Sequence, residues 1–241
     1  MLPLFTFLIL GLAIVPDLEL DSPPALEPQD TLWIRYQVQV PASDLYVVTR
    51  KSGFLSFMGH EHAIIPMEWD GAACLPDSVA AGAWGVLVLR TPSLVIDSDS
   101  ARSLAGLGSG PGADDVNEIQ ETLLDEGHLA AETHPEIRLE STVEEVLVGE
   151  MEGESNLGIR SRLTVRGQTQ EYVHRSRREE VGEGILRIDG ALEVRQTDFG
   201  IEPESVFGVV NVSDPVDLHF RLVLAPTGQG CVPDSLPHSR P

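Results

Sequence analysis

Three histidines offer the sharpest chemistry in this 241-residue chain. His60 and His62 flank Glu61, so an extended backbone puts both imidazoles on one face, and His134 is a further nitrogen donor along the chain. A His-x-His pair on a strand is a common element of zinc and copper sites. Against a metal-dependent enzyme, no His-Glu-x-x-His motif occurs, no third ligand lies near in sequence, and His134 precedes Pro135. The same imidazoles can hydrogen-bond inside a fold or hold a ligand's polar end, and that non-catalytic reading, without metal or cofactor, is adopted for His60 and His62. No Gly-x-Ser-x-Gly elbow is present for a serine nucleophile, and 38 acidic residues are too many for one pair to stand out as acid and base. The candidate binding set is therefore mostly apolar. Phe54, Phe57, Met58, Phe199 and Ile201 would supply wall, while His60 and His62 would place a polar group.

Sheet is what must position them. In 186–194, Leu186, Ile188, Leu192 and Val194 share one face and Arg187, Asp189 and Glu193 the other. In 216–224, Val216, Leu218, Phe220, Leu222 and Leu224 face one way, against Asp217, His219 and Arg221. Period-two alternation of this kind means strands with one dry and one wet face. The same pattern marks 32–40, which Pro41 ends, and also 137–143 and 157–165. Glu144-Glu145 shifts the apolar phase, as a bulge does. Residues 83–96 are apolar on both faces and need cover on both sides. Gly167-Gln168 reads as a hairpin turn leading to 172–178, polar enough for an edge or rim strand. One helix is expected at 116–126, where Val116, Ile119, Leu123 and Leu124 recur at helical spacing behind Asp114 and Asp115 and ahead of Gly127. It is the candidate cover. The fold class is all-β: an antiparallel barrel of about eight or more strands with one short covering helix.

Beyond the barrel, expected at 32–225, the ends differ in composition. Residues 1–15 are apolar, too short for a comfortable membrane span but suited to a signal peptide, although no Lys or Arg precedes the run. Residues 16–31 form an acidic, proline-rich linker, and 226–241 a proline-rich tail expected to be disordered. Cys74 and Cys231 form neither a Cys-x-x-Cys pair nor a zinc cluster; in an oxidising compartment they could bridge, and the sequence leaves that open. Sixteen basic against 38 acidic residues give a net charge of −22, which repels phosphate backbones and excludes a nucleic-acid role.

Four short segments resemble the YceI-like family, in the family's order. They are Gly59-His60-Glu61-His62, then His134-Pro135-Glu136-Ile137-Arg138-Leu139-Glu140-Ser141, then Arg162-Leu163-Thr164-Val165-Arg166-Gly167, and finally Gln196-Thr197-Asp198-Phe199-Gly200-Ile201. The resemblance covers roughly residues 32–224. It implies a lipocalin-like barrel, secreted or periplasmic, that holds an isoprenoid or other fatty-chain lipid for carriage or storage without catalysis. A structural envelope protein without ligand is the other reading, and the oligomeric state stays open, a homodimer included.

Overall fold

The computed structural model describes residues 32–52, 60–76, 81–148, 154–206 and 210–232. Its strands are β1 (Trp33–Val38), β2 (Asp44–Ser52), β3 (His62–Pro66), β4 (Trp69–Pro76), β5 (Trp84–Arg90) and β6 (Leu94–Ile96), followed by β7 (Glu136–Val148), β8 (Glu154–Val165), β9 (Gln168–Gly182), β10 (Ile185–Arg195), β11 (Ser205–Val206) and β12 (Val210–Gly230). Two helices, α1 (Asp99–Leu104) and α2 (Ala113–Leu124), sit between β6 and β7. Hydrogen bonding runs β1-β4-β5-β7-β8-β9-β10-β12, and β12 returns to β1, so an eight-strand antiparallel barrel closes. Closure removes the free edges that an open sheet would expose.

The long β12 makes two different neighbours possible on one edge. Its C-terminal part pairs with β1, from Val38↔Leu224 to Ile34↔Gly230, while the stretch 211–221 pairs with β2. The chain passes from β1 to β2 through a single turn at Val40–Ala42 containing Pro41. From β2 the sheet continues to β3 and β6, a flap at one end of the barrel. Helix α2 covers that flap. Its Val116, Ile119, Leu123 and Leu124 pack on Ile64, Leu94 and Ile96. Gln120 imitates a further strand, accepting from the Ile96 amide at 2.9 Å and donating to the Leu94 carbonyl at 2.9 Å. The edge of β6 is thereby satisfied without a strand beside it.

Inside, the apolar faces of β7, β8, β10 and β12 form one core with Leu139, Leu163, Leu192, Leu218 and Phe220. Outside, arginines meet carboxylates: Arg221 reaches Asp189 at 2.8 Å, Arg160 reaches Glu144 at 2.6 Å, and Arg187 pairs with Glu179 and Asp189. The phase shift at Glu144-Glu145 is a bulge, with the register slipping between Val143 and Glu145.

Four expectations need correction. Strand β9 is not an edge strand, since β8 and β10 pair with it on both sides; its polar residues divide between water and the barrel interior. The turn before it is Arg166-Gly167, both at positive φ (51° and 70°), a two-residue turn whose twist suits a hairpin. The last strand runs past 225 to Gly230, because an irregular register between Ile34 and Tyr36 admits Pro226, and Thr227 Oγ1 donates to the Arg35 carbonyl. A short second helix, α1, joins the expected one, capped by Ser98, which accepts from the Ala101 amide. Cys74 and Cys231 are joined in a disulfide with Cα atoms 6.0 Å apart.

Candidate ligand-binding site

Two apolar chambers occupy the barrel. The upper one, at the end where β9 turns into β10, has a cavity volume of about 100 Å³; the lower one, beside the Arg166-Gly167 turn and α2, about 160 Å³. No described residue lines both. Phe220 stands at the floor of the upper chamber, while Leu218, two residues back along β12, belongs to the lower wall. The ring fits there because residue 190 is glycine: a Cβ on Gly190 would lie 2.4 Å from the Phe220 ring and 2.5 Å from Ser176 Oγ. Any side chain at 190 would displace one of them.

A polar line crosses the upper chamber's wall. Ser141 and Ser161 hydroxyls lie 2.7 Å apart, and Ser161 Oγ lies 2.9 Å from His174 Nε2. The His174 ring meets Phe220 edge to face at 6.0 Å. Burial pushes His174 below the ordinary imidazole value, so the ring is neutral at pH 7, one nitrogen donating and the other accepting. Further up β9, Arg178 also lines the chamber; its Nε is buried and has no hydrogen-bond partner among the described residues.

The lower chamber keeps its charged groups behind the wall. Phe199, 2% exposed, and Ile201 both line it, with Leu45, Leu129 and Val194. Phe199 turns inward because Gly200 takes a left-handed conformation (φ 70°) that ends the turn Gln196–Phe199. Asp198 is fixed from β9: Gln170 Nε2 donates to its carbonyl at 2.8 Å, and Tyr172 OH to its carboxylate at 3.2 Å. Burial first, and then that carboxylate, push the Tyr172 phenol up to about 12. Arg166 donates to the carbonyls of Gly200 and Glu126, tying the turn to the segment after α2. His134 packs against Gly167 in the same corner.

The predicted residues are therefore only partly assembled. Phe199 and Ile201 share one chamber, whereas His60 is exposed and neither it nor His62 is among the residues lining a chamber. His62 Nδ1 lies 2.5 Å from Asp97 Oδ2, and Arg102 donates to Asp97 Oδ1 at 2.6 Å. Arg102 also donates to the carbonyls of Glu61 and Gly108. Asp97 is fully enclosed; burial alone would raise its carboxyl, but His62, the Ala63 amide and Arg102 outweigh burial and hold it below its ordinary value. This is a clamp between β3, β6 and α1. Phe54, Phe57 and Met58 lie outside the described residues. Among the described residues no three His, Cys, Asp or Glu side chains converge as a metal site would need, and no helix is long and apolar enough to cross a membrane. From the sequence, Ser161, His174 and Arg178 carry no site role, and Ser141 stands only within a segment resembling the family. Their signal is a polar residue in the inward phase of a strand.

Known proteins repeat this architecture. The barrel matches BcnA of Burkholderia cenocepacia with a TM-score of 0.54 at 15% identity, over 77% of this chain and 98% of that one. It also matches a polyisoprenoid-binding domain from Saccharophagus degradans implicated in plant cell wall breakdown, with a TM-score of 0.52 at 15% identity, over 80% and 99%. At that identity the likeness is one of fold. No curated protein sequence matches the chain. The YceI-like domain family matches over residues 83–224, more than half of the sequence and six of the eight barrel strands, from just before β5 into β12: the chain belongs to the YceI-like family.

Proposed function

We propose that the chain is a non-catalytic binding protein that holds a long-chain isoprenoid or similar amphiphilic lipid inside its barrel, for carriage or storage outside the cytoplasm. The observation that carries this is a closed sheet holding two apolar chambers end to end, lined mostly by Leu, Ile, Val, Ala and Phe. Each CH₂ buried there is stabilised by about 0.8 kcal/mol, so a long chain binds tightly with few hydrogen bonds. The solved polyisoprenoid-binding domain of like fold supports the choice of lipid. Phe199 and Ile201 are wall residues in this reading, while His62 supports the wall from behind and His60 takes no part. The Cys74–Cys231 disulfide and the apolar run at 1–15 support export. Mass spectrometry of an organic extract of the purified protein tests the reading, with a stoichiometric isoprenoid or fatty-chain lipid as the expected result. A lipid-free extract, together with no uptake of added prenol, defeats it. Fractionating expressing cells tests export, and recovery wholly in the cytosol with an intact N-terminus would refute it.

A further inference from the structure

Arg178 is placed unlike the arginines on the barrel's outer face. Arg50, Arg90, Arg160, Arg187 and Arg221 each reach a carboxylate there. Arg178 points into the upper chamber, where no Asp or Glu is among the lining residues, and its buried Nε has no partner among the described residues. In a chain with 38 acidic residues, an arginine left without one is conspicuous. Arg178 is half-buried, and its buried Nε–H left without an acceptor is costly; an incoming anion repays that cost by accepting from the guanidinium, often through two parallel hydrogen bonds.

We propose that Arg178 anchors the polar end of the bound molecule and that this end is an anionic oxygen group, a phosphate or a carboxylate, carried on an apolar tail. The inference rests on the lipid-binding reading above and names the ligand class for it. Position agrees with charge. Arg178 pairs with Ile188 of β10 and Ser155 of β8, four residues from the closing turn side of His174. That separation is about 13 Å of strand, enough for an extended tail to run from the guanidinium down to the Phe220 floor. His174 adds no competing positive charge, being neutral. Burial also pushes the guanidinium below its ordinary value, and the field of Glu180 only opposes this. An anion bound beside it would relieve that burial.

Calorimetric titration of the purified full chain with farnesol, farnesyl monophosphate and farnesoic acid separates the possibilities. Both anions should bind at least about tenfold tighter than the alcohol, and the advantage should shrink only in part in high salt because Arg178 is half-buried. Phosphate above carboxylate, or the reverse, identifies which source of anion the site prefers. R178M should bring the anions down to the level of farnesol and leave farnesol unchanged, while R178K should keep part of the advantage. Farnesol binding as tightly as the anions to the wild-type chain overturns the anionic site and leaves lipid binding standing, with no variant needed. An unchanged ratio in a folded R178M chain overturns it too. If none of the three binds, the lipid-binding reading falls and this inference falls with it.

Discussion

The two chambers differ in which polar groups reach their walls. In the upper chamber, hydroxyls, an imidazole and a guanidinium face the interior itself, through Ser141, His174 and Arg178. Around the lower chamber the charged groups stand behind the wall, where Asp97, Arg102 and Arg166 spend their hydrogen bonds on the backbone and on each other. The upper chamber thus carries a charged group on its wall, whereas the polar side chains that reach the lower one, Tyr46, Thr49 and Gln196, are uncharged. The sequence motifs resembling the family gather at the lower end, where Phe199, Gly200, Arg166 and His134 meet. Their apolar residues, Ile137, Leu163, Phe199 and Ile201 among them, line the lower chamber, while Arg166 and His134 support it from behind.

The largest expected effect strikes that support. Asp97→Asn removes the only charge facing Arg102 from Asp97 and leaves a nearly enclosed guanidinium without its ion pair. Breaking a buried pair in this way costs about 3–5 kcal/mol. Urea denaturation reads it, and a cost below about 1 kcal/mol would show that the clamp does not hold the lower end. Next comes the upper end. Replacing Cys74 and Cys231 together with serine opens a link spanning 157 residues of sequence, and should cost about 2–4 kcal/mol under oxidising conditions. Under full reduction the wild-type chain should match the double variant, and a persistent difference would mean that the serines, not the lost bond, are responsible.

What the sequence disclosed follows from the same contrast. Alternation in β10 and β12 is regular because one face is wholly apolar and the other carries Arg, Asp and Glu, so both strands were legible. The turn that sends Phe199 inward was legible too, through Gly200. Strand β9 was not. Tyr172, His174, Ser176 and Arg178 occupy its inward phase, and a strand polar in both phases looks like one with water on both faces. Only pairing to β8 and β10 distinguishes it. His62 was legible as chemistry but not as structure, because its partner Asp97 lies 35 residues away on another strand's end. Pro226 suggested a stop, yet an irregular register let β12 continue past it.

A smaller effect sharpens the picture of the lower chamber. Phe199 is buried by its neighbours yet borders a cavity of about 160 Å³. Phe199→Trp should place its extra ring in that space, changing stability by less than about 1 kcal/mol and shortening the longest prenol accepted. Overpacking would instead cost about 1–3 kcal/mol. That larger loss, with the accepted chain length unchanged, would mean the ring is packed on all sides and the lower chamber is not used.

The smallest effect lies in pH and belongs to the upper chamber. His174 has its folded pKa depressed by burial, so between that value and the ordinary 6.5 the unfolded chain binds a proton that the folded chain does not. Stability contributed by the neutral ring is therefore fully present above pH 6.5 and declines as pH falls toward the folded value. One proton allows a slope of at most about 1.4 kcal/mol per pH unit. Arg178 lies on the same inward phase of β9 and lines the same chamber, and no lining carboxylate is present to favour the imidazolium. His174→Gln can keep a hydrogen-bonding group near Ser161 while removing the titration. Unfolding free energies measured from pH 7.5 down to 5 should fall more steeply for the wild-type chain than for this variant, with the two curves parallel above pH 7. Parallel curves throughout would place His174 in contact with water, and the upper chamber would then be a wet cleft with no closed polar line.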